Sequence, residues 1–197
     1  MNSLSTYKDY RKRIVVLVGV HGCGKTFLGR MLEKDGFRFF PEIGTEMRKD
    51  SNKNVGESQN DFDSLILERE SKRDSESVVN SVNPIIETWH IGNYAFAITR
   101  GSIIDGYGEF IDNLMESFYP LILHLKIDDK TFIDRNTEKN ISPQESLAFY
   151  RCLDKNLTQI IDGLSEDGKV EVLEYFHYQY EDIKNVIYNF MNYKETN

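Results

Sequence analysis

The chain of 197 residues carries 24 Lys and Arg against 32 Asp and Glu, a net charge of −8, with 40% hydrophobic and 28% charged residues. That balance fits one soluble globular domain with a substantial core. It argues against a general nucleic-acid binder, which shows a basic face, while leaving room for a local basic pocket. Two cysteines, Cys23 and Cys152, exclude a disulfide scaffold and suit a reducing, cytoplasmic setting. The polar start reads as free of a signal peptide, and no apolar run approaches the ~20 residues that span a bilayer.

A charged lead-in over residues 1–13 precedes the apolar, largely β-branched run Ile14, Val15, Val16, Leu17, Val18, a buried strand. The next eight residues, Gly19, Val20, His21, Gly22, Cys23, Gly24, Lys25 and Thr26, match the phosphate-loop pattern G-x-x-x-x-G-K-[ST] at every fixed position. The glycines let successive amides turn inward around an anion. Lys25 places a point charge on the outer phosphates, and Thr26 offers a hydroxyl to Mg2+. The helix that follows, with Phe27, Leu28, Met31 and Leu32 on one face, adds its positive dipole end. The ATP-binding set is therefore Gly19, His21, Gly22, Cys23, Gly24, Lys25 and Thr26. The same amides favour the Cys23 thiolate and predict a reactive cysteine.

Residues 37–40 form a short strand closed by Pro41, which delivers Glu42 to the carboxyl edge of a parallel sheet, where ligands bind. Residues 43–59 read as a loop with a helical turn, and 60–83 as a helix with a charged, solvated middle. A third strand over 84–89 carries Glu87, and helices follow at about 93–100 and 107–118. A fourth strand spans 121–127, and Asp128-Asp129 caps a short helix carrying Arg135. Ser142, Pro143 and Glu145 form a capping box with Pro at the first helical position. A fifth strand (169–176) and an amphipathic closing helix complete the chain. Alternating strands and helices predict a single three-layer α/β/α sandwich over 1–197 with a parallel sheet of about five strands.

Three stretches resemble the thymidylate-kinase and deoxynucleoside-kinase branch of the P-loop kinases: the phosphate loop; Phe39, Phe40, Pro41, Glu42 with Thr45 and Glu46; and Glu87, Thr88, Trp89 leading into Tyr94 and closing at Arg100-Gly101. The resemblance implies phosphoryl transfer from ATP with Mg2+, Glu87 beside the metal with Thr26, and Glu42 facing the acceptor as base or orienting group. It implies a lid at about 128–145 with Arg135 closing over the phosphates, and Arg100 approaching the acceptor. Phe62, Trp89, Tyr94 and Phe96 then serve either as base platforms or as core.

The family's acceptor arginines are missing, their places taken by Ile43 and Thr88. A bidentate fork suits a phosphate dianion, and only Arg48, Arg100 or a lid residue remains to replace it. The reading is therefore an ATP-dependent kinase acting on a nucleoside or nucleoside monophosphate, with an uncharged hydroxyl accepted at least as well as thymidylate. Two readings compete with it: another hydroxyl acceptor (a ribosylnicotinamide-like compound or DNA), or an NTP-dependent switch. The switch is disfavoured by the lack of an Asn/Thr-Lys-x-Asp guanine reader. A homodimer is left open.

Overall fold

The structure is a computed structural model that describes residues 10–49, 60–135, 142–176 and 178–192. The chain runs β1 (Lys12–Val18), α1 (Lys25–Lys34), β2 (Arg38–Phe40), α2 (Ile43–Lys49) and α3 (Asn60–Arg73), which passes into a π turn (Asp74–Val78). Then come β3 (Pro84–Glu87), α4 (Trp89–Arg100), α5 (Tyr107–Leu114), β4 (Phe118–Lys126), α6 (Asp129–Arg135), α7 (Pro143–Glu166), β5 (Glu171–Phe176) and α8 (Tyr180–Asn192). All five strands are parallel, in the order β2-β3-β1-β4-β5. The three-layer sandwich expected from the alternating pattern is thus the observed fold.

Ile14 to Val18 have no exposed surface, because β1 lies at the centre and is covered on both faces. The chain leaves β1 toward β3 and β2 on one side and later returns to β4 and β5 on the other. The end of β1 is therefore the switch point where an open α/β sheet leaves a crevice. Leu17 pairs with Glu87 of β3, and Val18 with His124 of β4, so the phosphate loop and the strand-end acid emerge side by side. Helices α4 and α7 pack together over one face, with α3 and α5 against α4. On the other face α8 meets the end of α1, where Lys184 and Tyr180 both contact Asp35.

Several boundaries moved. Residues 43–49 form a helix rather than a loop with one turn, while 50–59 lie outside the described residues. The third strand stops at Glu87 and α4 starts at Trp89, four residues early, because Thr88 and Trp89 adopt positive φ (69° and 50°) that no propensity rule assigns to them. The fourth strand starts at Phe118, before Pro120. The capping box at Ser142 is formed, with Ser142 Oγ accepting from Glu145 N and Glu145 Oε2 accepting from Ser142 N, each at 3.2 Å. Among the described residues no helix is long and apolar enough to cross a membrane.

The α1–β2 contact depends on a missing side chain. A Cβ at Gly29 would lie 2.1 Å from Cε2 of Phe39. Alanine is the better helix former by about 1 kcal/mol, yet overpacking typically costs about 1–3 kcal/mol. Gly29→Ala is expected to lower the urea midpoint without changing the slope of the transition. A raised midpoint would show that the Phe39 ring moves aside freely.

Candidate active site

The phosphate loop bridges the end of β1 and the start of α1. Gly19 has φ 138°, and a Cβ there would meet the Leu125 carbonyl oxygen at 2.4 Å and Cys23 Sγ at 2.9 Å. Gly24, at φ 102°, caps α1 with no side-chain partner. The first-turn amides of α1 thus keep their donors for an anion. Lys25, 6% exposed, donates from Nζ to the carbonyl oxygens of Gly19 (2.9 Å) and Val20 (3.1 Å). Burial by itself would depress its ammonium, but Cys23, Glu42 and Glu87 outweigh this and raise it. Cys23 is itself pushed up by burial, against the pull of Lys25.

Glu87 is 4% exposed and Glu42 8%. Thr26 Oγ1 donates to Glu87 Oε1 at 2.7 Å, joining the loop hydroxyl to the strand-end acid. Burial raises the Glu87 carboxyl, and the opposing pull of Lys25 and Thr26 does not cancel it. Glu42 Oε1 accepts from Arg48 Nη2 at 2.8 Å, and its Oε2 accepts from Thr88 Oγ1 at 3.3 Å. Thr88 carries φ 69° and ψ −55°, close to the rare positive-φ γ-turn. A strained residue of this kind costs of order 1–3 kcal/mol and persists only where its surroundings over-determine it. Lys25, Glu42 and Arg48 line a cavity of about 300 Å³ together with His21, Thr45, Phe96 and Tyr150.

Thr26 and Glu87 form a hard-oxygen pair beside the loop. That suits Mg2+, which takes one or two protein oxygens, keeps several waters and bridges phosphate oxygens. Among the described residues no group of three or more His, Cys, Asp or Glu could enclose a metal. Thr26 and Glu87 together offer such an ion two oxygens.

The other expected site residues divide. Arg135 Nη1 donates to the Gly22 carbonyl at 2.9 Å, so α6 reaches the loop; residues 136–141 of the expected lid lie outside the described residues. Arg100 is buried in an ion pair with Asp63 and does not line the cavity. Trp89 is wholly buried, Phe62 packs with Met47 and Ile66, and Tyr94 lines a separate hollow against α5 and α7. Of the four aromatics only Phe96 reaches the cavity; Trp89 and Phe62 satisfy the demand of large rings for burial. Cys23 corrects the expectation of a reactive thiolate, because desolvation exceeds the pull of Lys25. Thr45 and Tyr150 also line the cavity: Thr45 belongs to the stretch after Glu42 that carried the resemblance but was given no role, and Tyr150 lies in no motif and sits at a core position of α7.

The sequence model of the family described as an AAA domain matches residues 14–162. No curated protein matches the chain. Among solved structures, deoxyadenosine kinase from M. mycoides with bound dATP superposes with a TM-score of 0.63 at 19% identity, covering 90% of this chain and 99% of that one. NadR protein in complex with NR gives 0.61 at 15% identity, covering 94% of this chain and 52% of that one. Thymidylate kinase from Candida albicans gives 0.60 at 12%, covering 91% and 94%. At these identities the likeness is one of fold, and the fold is that of the nucleoside and nucleotide kinases.

Two outcomes are expected. Iodoacetamide should modify exposed Cys152 in the native protein and reach buried Cys23 only on unfolding, as read by peptide mass spectrometry; equal native rates would place Cys23 at the surface. Because Glu87 titrates above the ordinary value of 4.5 in the folded state, its protonated form stabilises the fold. That contribution is complete below the unfolded value and disappears as pH rises through the raised one. Glu87→Gln should therefore lose less thermal stability than the parent as pH rises from the ordinary carboxylate range through the raised Glu87 value. An equal loss in both proteins would show that Glu87 ionises at no cost.

Proposed function

The chain belongs to the AAA domain family, and from that premise we propose an ATP-dependent kinase that phosphorylates an uncharged hydroxyl, foremost that of a nucleoside. The observation that carries this reading is the convergence of two buried acids on one loop. Glu87 is joined to Thr26 at 2.7 Å, and Glu42 faces a cavity that it shares with Lys25.

When bound, Mg-ATP supplies a terminal phosphoryl group whose phosphorus exchanges its bond to the bridging oxygen for one to the acceptor oxygen. Such transfers need positioning and charge neutralisation more than covalent help. Lys25 leaves its two carbonyl partners to meet the outer phosphates, and the loop amides cradle the rest. Thr26 and Glu87 would hold Mg2+, which would neutralise charge on the phosphates. Arg135, already on the loop, contributes a second cation from α6. Glu42 orients the acceptor hydroxyl and takes its proton at Oε2, the oxygen that Thr88 Oγ1 also contacts at 3.3 Å.

Charge bookkeeping favours a neutral acceptor. Arg48, the cation lining the cavity beside Lys25, is already paired with Glu42 at 2.8 Å, and Arg100 is paired with Asp63. A phosphate dianion would sit beside the Glu42 carboxylate, and one pair of like charges ~4 Å apart repels by on the order of 4 kcal/mol near a protein surface. A nucleoside adds no such charge. The ribosylnicotinamide-like acceptor is a neighbouring case, because NadR with NR shares the fold.

The test is a side-by-side assay of thymidine, other nucleosides, a ribosylnicotinamide and thymidylate with labelled Mg-ATP. Turnover of at least one nucleoside is expected, and Glu42→Gln should depress kcat by about 10²–10⁴ while leaving ATP affinity within a few-fold. Strong turnover of thymidylate with every nucleoside inert would overturn the acceptor assignment.

A further inference from the structure

Asp74 opens the π turn at the end of α3, where Val79 N donates to its carbonyl at 3.1 Å, an i to i+5 bond. Single π turns inside helices concentrate at functional sites. Its side chain is buried and gathers donors from two directions. Oδ2 accepts from the indole Nε1 of Trp89 at 2.6 Å and lies 3.1 Å from His90 Nε2. Oδ1 accepts from Nε and Nη2 of Arg73, each at 3.3 Å.

Trp89 is the second residue of the left-handed pair Thr88–Trp89 that ends β3. That pair sends Thr88 Oγ1 toward Glu42 Oε2 and leaves Glu87 against Thr26. Non-glycine residues at such angles, one of them β-branched, relax unless held. The Thr88 side holds through two backbone bonds, Thr88 N to Leu17 O at 2.8 Å and Gly92 N to Thr88 O at 3.0 Å. It also depends on Gly92, where a Cβ would lie 2.6 Å from Thr88 Cγ2. On the Trp89 side the polar hold is Asp74.

We propose that Asp74 is a positioning residue: through the indole N–H of Trp89 and the ring of His90 it fixes the strained turn that aims Thr88 at Glu42. Asp74 does not line the cavity and touches neither reactant. The inference rests on the kinase reading for its catalytic consequence but not for the hold itself.

The experiment uses the full chain with Asp74→Ala, Trp89→Phe, the double variant and Asp74→Asn. Hydrogen exchange at the amides of residues 88–92 should accelerate about tenfold or more in Asp74→Ala and in Trp89→Phe, with the amides of α1 unchanged. With an accepted nucleoside, kcat should fall about tenfold or more in both, with KM for ATP within about twofold. The double variant should lose no more than the worse single one, because both cut one link. Asp74→Asn, which keeps an oxygen for the indole, should recover most of kcat. Multiplicative losses in the double variant, unchanged exchange over 88–92, or unchanged kcat in the single variants would each overturn the proposal. Should Asp74→Ala fail to fold, Trp89→Phe decides on the same readouts. Inactivity of the parent toward every acceptor would count against the kinase reading alone, and the exchange data would still settle whether Asp74 holds the turn.

Discussion

Lys25, Glu42 and Glu87 stand almost dry at the carboxyl edge of one parallel sheet, and their mutual charge compensation is the constraint on which the rest of the site depends. An isolated charge so placed would neutralise rather than remain ionised. Together they keep the ammonium charged, while the cost of burial stays visible in the raised Glu87 carboxyl. The fold holds them at that edge because β1, β3 and β2 are adjacent and parallel, so their ends deliver Lys25, Glu87 and Glu42 to one place.

The same arrangement explains where stability is given up. Positive φ at Thr88 and Trp89 and a buried carboxyl at Glu87 are costly choices for a chain that only had to fold. The positive φ is compensated nearby by backbone bonds to Leu17 and Gly92 and by the polar pocket around Asp74, and the Glu87 carboxyl by the Thr26 hydroxyl. Strain and buried charge gathered in one corner of a domain mark the place where local rules are set aside for a task. Elsewhere the capping box at Ser142 and the buried run of β1 follow those rules.

The cavity beside the loop draws its walls from distant parts of the chain. It is lined from four segments, the loop at His21 and Lys25, the Glu42–Arg48 region, Phe96 on α4 and Tyr150 on α7. Tyr150 also borders a second hollow with Phe132 and Leu147, so α7 forms part of the wall for both. Pairing of Arg48 with Glu42 makes the cavity polar without leaving it strongly cationic.

The local order of residues was enough to determine the phosphate loop, the alternation that makes a parallel sheet, and the placement of Glu42 and Glu87 at strand ends. Those features depend on short-range rules: where glycine is required, which residues bury both faces of a strand, and which element succeeds a strand in an α/β unit. Tertiary structure alone decided that Trp89 and Tyr94 stand away from the cavity, that Cys23 is a buried thiol, that Arg100 is held by Asp63, and that Thr45 and Tyr150 line the cavity. Each of these depends on which distant segment arrives beside the residue and how much water it displaces. Burial and charge pairing are properties of that meeting, and no window of neighbouring residues contains them.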